Sequence, residues 1–162
     1  MNENLTNAQN IANIVAQEVE LMSALVQLLK KEEEVLVDNT PDKLETIVLE
    51  KNTLLTQIIA LEKNRNSSLS QSGLSPDAEG MNLLFSQLST SSDVQNNWER
   101  LLNLSSAAKE NNRTNGILIN RHMVRNQTTL NILQQNDQTA SVYGADGQSR
   151  VNSNSGRGII AG

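Results

Sequence analysis

An all-α fold is predicted by three observations. Two apolar stripes stepping by four and three residues flank a single turn; a serine-rich linker with a proline follows, and a second break at 89–92 comes after the short helix; and a third long stretch then resumes helical spacing. Together they predict an elongated antiparallel up-down helical bundle of three long helices plus a short connecting helix, with a flexible C-terminal tail. The expected organisation is a bundle over 1–137, with helices at about 5–37, 41–66, 76–89 and 93–136, and a tail over 138–162.

The first helix carries the stripe Val15, Val19, Met22, Val26, Leu29 and Leu36. A neighbouring line, Ile14, Leu21, Leu25, Leu28 and Val35, widens its apolar face beyond a two-helix seam, so it should pack against more than one neighbour. Lys30 to Glu34 are all charged. Glu32 and Glu33 fall on the two stripes, where a polar layer either sets register or marks the end of the core. For Glu32 to Glu34 as a group, a solvated face is the expected reading, since consecutive helical residues point different ways and do not pair as catalytic carboxylates.

The turn is Asp38-Asn39-Thr40-Pro41-Asp42. Thr40-Pro41 reads as an N-cap followed by proline at the first helical position, where its fixed φ suits the helix and its missing N–H costs nothing. The second helix then presents Leu44, Ile47, Lys51, Leu54, Ile58 and Leu61. Residues 67–80 hold serines, two glycines and a proline and are expected to be a linker. Ser75-Pro76-Asp77 repeats the cap-plus-proline signal and should open a short helix carrying Met81, Leu84, Phe85 and Leu88.

The last helix should carry Val94, Trp98, Leu101, Leu104, Ala108, Asn115, Leu118, His122, Thr129 and Leu133. Asn115-Gly116 is a turn signal inside it. The seven-residue step Leu101, Ala108, Asn115, His122 keeps its phase across that point, which favours one continuous helix, with Gly116 admitting the close approach of another backbone. A split at Asn115 is the lesser option. Beyond Asp137, Gly144, Gly147, Gly156, Gly158 and Gly162 lie among Ser, Asn and Asp, with apolar residues too sparse to offset the entropy of ordering.

Composition excludes several classes of function. The chain has 162 residues, three aromatics (Phe85, Trp98, Tyr143), no cysteine and a net charge of −5. Disulfides and thiolate metal sites are excluded. The net acidity argues against nucleic acid, whose binders gain affinity by neutralising phosphates. Charge is uneven: residues 1–65 carry 11 acids and 6 bases, whereas 93–136 carry 3 acids and 5 bases. The basic segment therefore complements the acidic hairpin. The single histidine, His122, lies on the apolar stripe and is expected to be a hydrogen-bonded bundle residue. There is no phosphate-binding loop or nucleophile elbow, so neither catalysis, a cofactor nor a metal is expected. The polar start Met1–Asn13 is unlike a secretory signal, and no apolar run approaches the roughly 20 residues that span a bilayer. A cytoplasmic protein without stable membrane insertion is expected.

What remains points to binding. Ile117 and Val124 lie off the main stripe, seven residues apart, and Ile119, Met123 and Leu130 form a flanking line beside Leu133. A broad face packed within the bundle accounts for any one of them; a groove for a partner helix accounts for the set. Asn111, Asn112, Asn115 and His122 form a polar set near the seam, suited to fixing register. Tyr143 is an aromatic in an otherwise solvated arm.

The chain resembles the FlgN family of flagellar type III export chaperones over most of 15–150. The resemblance is carried by Leu28-Leu29 with Glu32–Glu34, by Leu44, Ile47, Lys51, Leu54-Leu55, Leu61-Glu62 and Arg65, by the block from Asn112 to Ile119, and by Tyr143-Gly144-Ala145-Asp146-Gly147. It implies a cytoplasmic chaperone, not an enzyme, that binds hook–filament junction (hook-associated) proteins through their C-terminal helical region, prevents premature assembly and delivers them to the export gate. On this reading Ile117, Ile119, Met123, Val124, Leu130 and Leu133 contact the client, and Tyr143 docks at the gate. A monomer or weak self-association is expected. The alternative is a self-associating coiled-coil scaffold or adaptor.

Overall fold

The computed structural model describes residues 2–87 and 92–142, with side chains from 5 to 138 within those ranges. Its elements are α1 (Asn2–Val37), a 3₁₀ turn (Pro41–Lys43), α2 (Leu44–Gln71), α3 (Ala78–Gln87) and α4 (Ser92–Val142). The fold is all-α, with three long helices and one short one, as the spacing predicts. The chain divides into two compact units, 1–119 and 120–162.

In the first unit, α1 and α2 form an antiparallel hairpin and α4 runs parallel to α1. Two apolar clusters hold them. One joins Ile11, Val15 and Val19 of α1 with Leu69 of α2, Met81 and Leu84 of α3, and Trp98 and Leu101 of α4. The other joins Leu25, Val26 and Leu29 with Ile58 and Ala108. Each buried Leu, Ile or Val in them contributes about 1.5–3 kcal/mol. α3 thus closes one end of the core with residues that the short-helix reading singles out.

Helix ends differ from the sequence reading for identifiable reasons. α2 does not stop at Asn66: the serines that read as linker continue the helix to Gln71, because nothing breaks it before Gly73. There the chain closes a Schellman motif. Gly73 takes φ +72, its N–H donates to the Ser70 carbonyl, and the Leu74 N–H reaches back to the Leu69 carbonyl, each at 3.0 Å. Leu74 packs on the cluster that contains Leu69. α1 ends the same way: Asn39 has φ 53 and the Thr40 N–H donates to the Val35 carbonyl at 3.1 Å.

Thr40 makes no side-chain capping bond, so the predicted N-cap there is absent; a 3₁₀ turn starts at Pro41 instead. At α3 the cap is Asp77, not Ser75. The Gly80 N–H donates to Asp77 Oδ1 at 2.9 Å, and the Ser75 hydroxyl donates to the other carboxylate oxygen at 2.5 Å. α4 is continuous through Gly116, as its phase predicts, and runs past 136 to Val142, since no glycine or proline follows Gly116 before Gly144.

Gly116 does not admit a neighbouring backbone. A Cβ there would meet nothing within 4 Å, whereas a Cβ on Gly80 would overlap the Ser75 backbone. The close approach belongs to Gly80. Gly116→Ala should therefore stabilise the helix by about 1 kcal/mol, the ordinary cost of glycine in a helix interior. Gly73→Ala should cost about 1 kcal/mol, because its positive φ disfavours a side chain even with open space around it. Chemical denaturation of the two variants should show opposite shifts of similar size.

An 18-residue window within Leu5–Val37 of α1 has a mean hydropathy of 1.2, enough by length and composition alone to cross a membrane. The same apolar face supplies Ile11, Val15, Val19 and Leu29 to the core.

Candidate interaction surfaces

Two buried polar layers set the geometry on which any surface is displayed. In the first, Arg65 Nε of α2 donates to Glu18 Oε2 of α1 at 2.8 Å, and the guanidinium lies 4.9 Å from the centre of the Trp98 ring on α4. In the second, Lys51 Nζ of α2 donates to Glu32 Oε1 of α1 at 2.6 Å. Asn115 of α4 gives both its amide hydrogens to α1, at 2.8 Å to Glu32 Oε2 and 2.9 Å to the Leu29 carbonyl. Each layer touches all three long helices. The layers lie four helical turns apart, up α1 and down α2, so together they fix an antiparallel register that apolar stripes alone leave free to slip.

This corrects the solvated reading of the glutamate run. Glu32 is 1% exposed, while Glu34 is exposed and Glu33 half-buried. It also explains why a lysine, Lys51, occupies an apolar stripe. The Glu18–Arg65 pair was not anticipated; the signal available was a charged residue at a core phase on each helix. Of the polar set, only Asn115 is fully buried. Asn111 is half-buried, Asn112 exposed, and His122 half-buried in the second unit.

Burial pushes the Glu18 carboxyl up from its ordinary value, with the Arg65 hydrogen bond and charge opposing the rise. The Ser75 hydroxyl and the Gly80 N–H hold Asp77 below the usual range. No group of His, Asp and Glu among the described residues is arranged to hold a metal. The hairpin carries an open cleft of about 530 Å³, lined by Ala24, Gln27, Leu28 and Lys31 of α1 and Leu49, Glu50, Thr53 and Leu54 of α2.

The exposed apolar residues fall on both units. Ile117 and Ile119, in the first, are exposed. In the second, Met123 is 65% exposed, Leu130 52% and Leu133 55%, and Val124 and Ile132 are also exposed. At about 100° per residue, Met123, Leu130 and Leu133 share one face of α4, with Asn126 between them. Val124, the next residue, is turned about 100° from Met123 and lies off that face. The candidates of the second unit thus do not all share one face. Tyr143 and the tail beyond it lie outside the described residues, as does Leu88.

Comparison with known proteins agrees with this architecture. The FlgN protein family matches residues 1–150. The chain is 30% identical over 143 residues to the flagella synthesis protein FlgN of Proteus mirabilis, covering 87% of this chain and 86% of that one. It is 29% identical over 117 residues to the proteins of the same name from Salmonella typhimurium and Salmonella typhi, covering 72% of each chain. No solved structure matches. An all-helical chain, buried polar layers that fix the register of three helices, and a family match over nearly its whole length lead to one conclusion: the protein belongs to the FlgN family of flagellar export chaperones, which are not enzymes.

Proposed function

We infer that the protein is a cytoplasmic chaperone that binds hook-associated junction proteins through their C-terminal helical region, prevents their premature assembly and brings them to the export gate. Family membership supports the class of activity. The observation that carries the binding mode is the exposed line Met123, Leu130 and Leu133. Three large apolar side chains on one face within three turns, facing water, suit the apolar stripe of an amphipathic helix. Ile117 and Ile119 of the first unit and Val124 of the second are further proposed client contacts, and the tail from 138, with Tyr143, is the proposed gate-docking arm. No cofactor, metal or nucleic acid takes part.

Calorimetry with the C-terminal helical segment of a junction protein tests this. Met123→Asp with Leu130→Asp and Leu133→Asp should weaken binding by about 100-fold or more, since each places a charge in an apolar contact. Their thermal unfolding should stay close to that of the parent. Ile117→Asp and Val124→Asp, made singly, ask the same of the remaining candidates, and unchanged affinity in all of these variants would refute the placement. Tyr143→Ala should spare client binding and reduce capture by the export gate; equal loss of both would contradict that division.

A further inference from the structure

α2 carries a second heptad seam that faces water. Its inner seam, from Ile47 through Ile58 to Leu69, is buried in the hairpin. Glu45, Val48, Asn52, Leu55, Ile59 and Glu62 step by three and four residues along another line. Every one of the six is exposed, and Val48, Leu55 and Ile59 are 41%, 38% and 62% exposed. Scattered apolar residues need no explanation on a surface, but three in heptad phase over three turns form a contiguous stripe. Nothing in the client-binding reading uses it, and it lies in the first unit, on a helix braced at both buried layers.

Charge decides what the stripe accepts. Lys51 and Arg65 of α2 turn inward onto Glu32 and Glu18. The outward charges of α2 are therefore Glu45, Glu50 and Glu62 against Lys63 alone. The apolar stripe is bracketed by carboxylates at both ends. A second copy is a poor occupant. Antiparallel pairing of two such seams sets Glu45 against Glu62 and Asn52 against Leu55. Parallel pairing sets each glutamate against its own copy. Like charges in facing positions are destabilising.

We propose that the outer face of α2 is a second docking surface, for an amphipathic helix of another protein whose apolar stripe ends in Lys or Arg and has a polar residue opposite Asn52. The partner is a basic helix, and the surface is separate from the client-binding line of α4.

The test uses the full chain, isotopically labelled, and two synthetic helical peptides. Both carry a Leu/Ile stripe with a central Gln; one has Lys at each end of the stripe and the other Glu. The Lys-ended peptide should shift amide resonances over 45–62 and bind at least ten-fold more tightly than the Glu-ended one. Val48→Asp with Ile59→Asp should abolish those shifts, and Glu45→Lys with Glu62→Lys should reverse the preference. Both variants should retain junction-protein binding, which separates this result from the fate of the client-binding reading. Equal binding of the two peptides, no binding, shifts confined to Met123–Leu133, or a self-association that Val48→Asp removes would each overturn the proposal.

Discussion

Glu18→Ala should destabilise the protein by about 3–5 kcal/mol, a large share of the stability of a domain this size. The reason is the partner left behind. Arg65 is buried with its Nε on Glu18 at 2.8 Å and its side chain only 8% exposed. Its remaining support is the Trp98 face, and a cation over a ring offsets only about 0.5–2 kcal/mol. Arg65→Ala should be similarly costly, because it strands the carboxylate and uncovers Trp98. Replacing both, Glu18→Leu with Arg65→Met, should cost far less than either alone and can stabilise, since the volume is kept and no charge is desolvated. Urea unfolding of the cycle checks this. Strict additivity would show that the two side chains do not act as a pair.

The same pair fixes a pH dependence of definite sign. A carboxyl whose folded-state pKa is raised binds its proton more tightly in the folded state. Its contribution is thus greatest in acid and falls as pH rises from the ordinary value of 4.5 through the higher folded-state one. Asp77 acts oppositely. Its lowered pKa contributes stability above the ordinary value of 3.8, lost as pH falls through the folded-state one. Glu18→Gln should remove the first slope and leave the second. Asp77→Asn should do the reverse. The exposed Glu110–Arg113 pair, at 2.9 Å with both side chains more than half exposed, should contribute little to either.

Periodicity made the helices legible, because a buried stripe must recur with the helical repeat whatever it packs against. Val15, Val19, Leu29 and Leu101 are buried as their phase requires. Helix ends were less legible. Ser67 to Ser72 resemble a linker by composition, but a serine run does not break a helix when Leu69 within it is buried. Gly73 supplied the stop, and its role rests on φ, which residue type only suggests. Gly116 misled in the other direction: glycine in a helix suggests a close neighbour, and there is none. The exposed apolar residues of α4 were legible as surplus apolar positions. Helical phase turns Val124 about 100° away from Met123, its neighbour in sequence.

Asn115→Asp should be the more damaging of two simple changes at the second buried layer. Asn115 is 1% exposed. Its amide donates to the Leu29 carbonyl and to Glu32 Oε2, while its own Oδ1 is buried and accepts no hydrogen bond among the described residues. Asn115→Leu removes two donors and also that unmet acceptor. It leaves Glu32 its Lys51 partner at 2.6 Å, so a loss of about 1–3 kcal/mol is expected. Asn115→Asp keeps the shape but sets a second carboxylate within hydrogen-bonding distance of Glu32, with Lys51 as the single cation. Two carboxyls so close cannot both ionise cheaply, so one must hold a proton. The variant should lose at least 1 kcal/mol more than Asn115→Leu at neutral pH and recover much of it in acid, where a shared proton restores a donor. Asn115→Leu should show no such recovery. If the two variants unfold alike from pH 5 to 8, Asn115 does not act through Glu32, and the second layer is packing rather than a charge network.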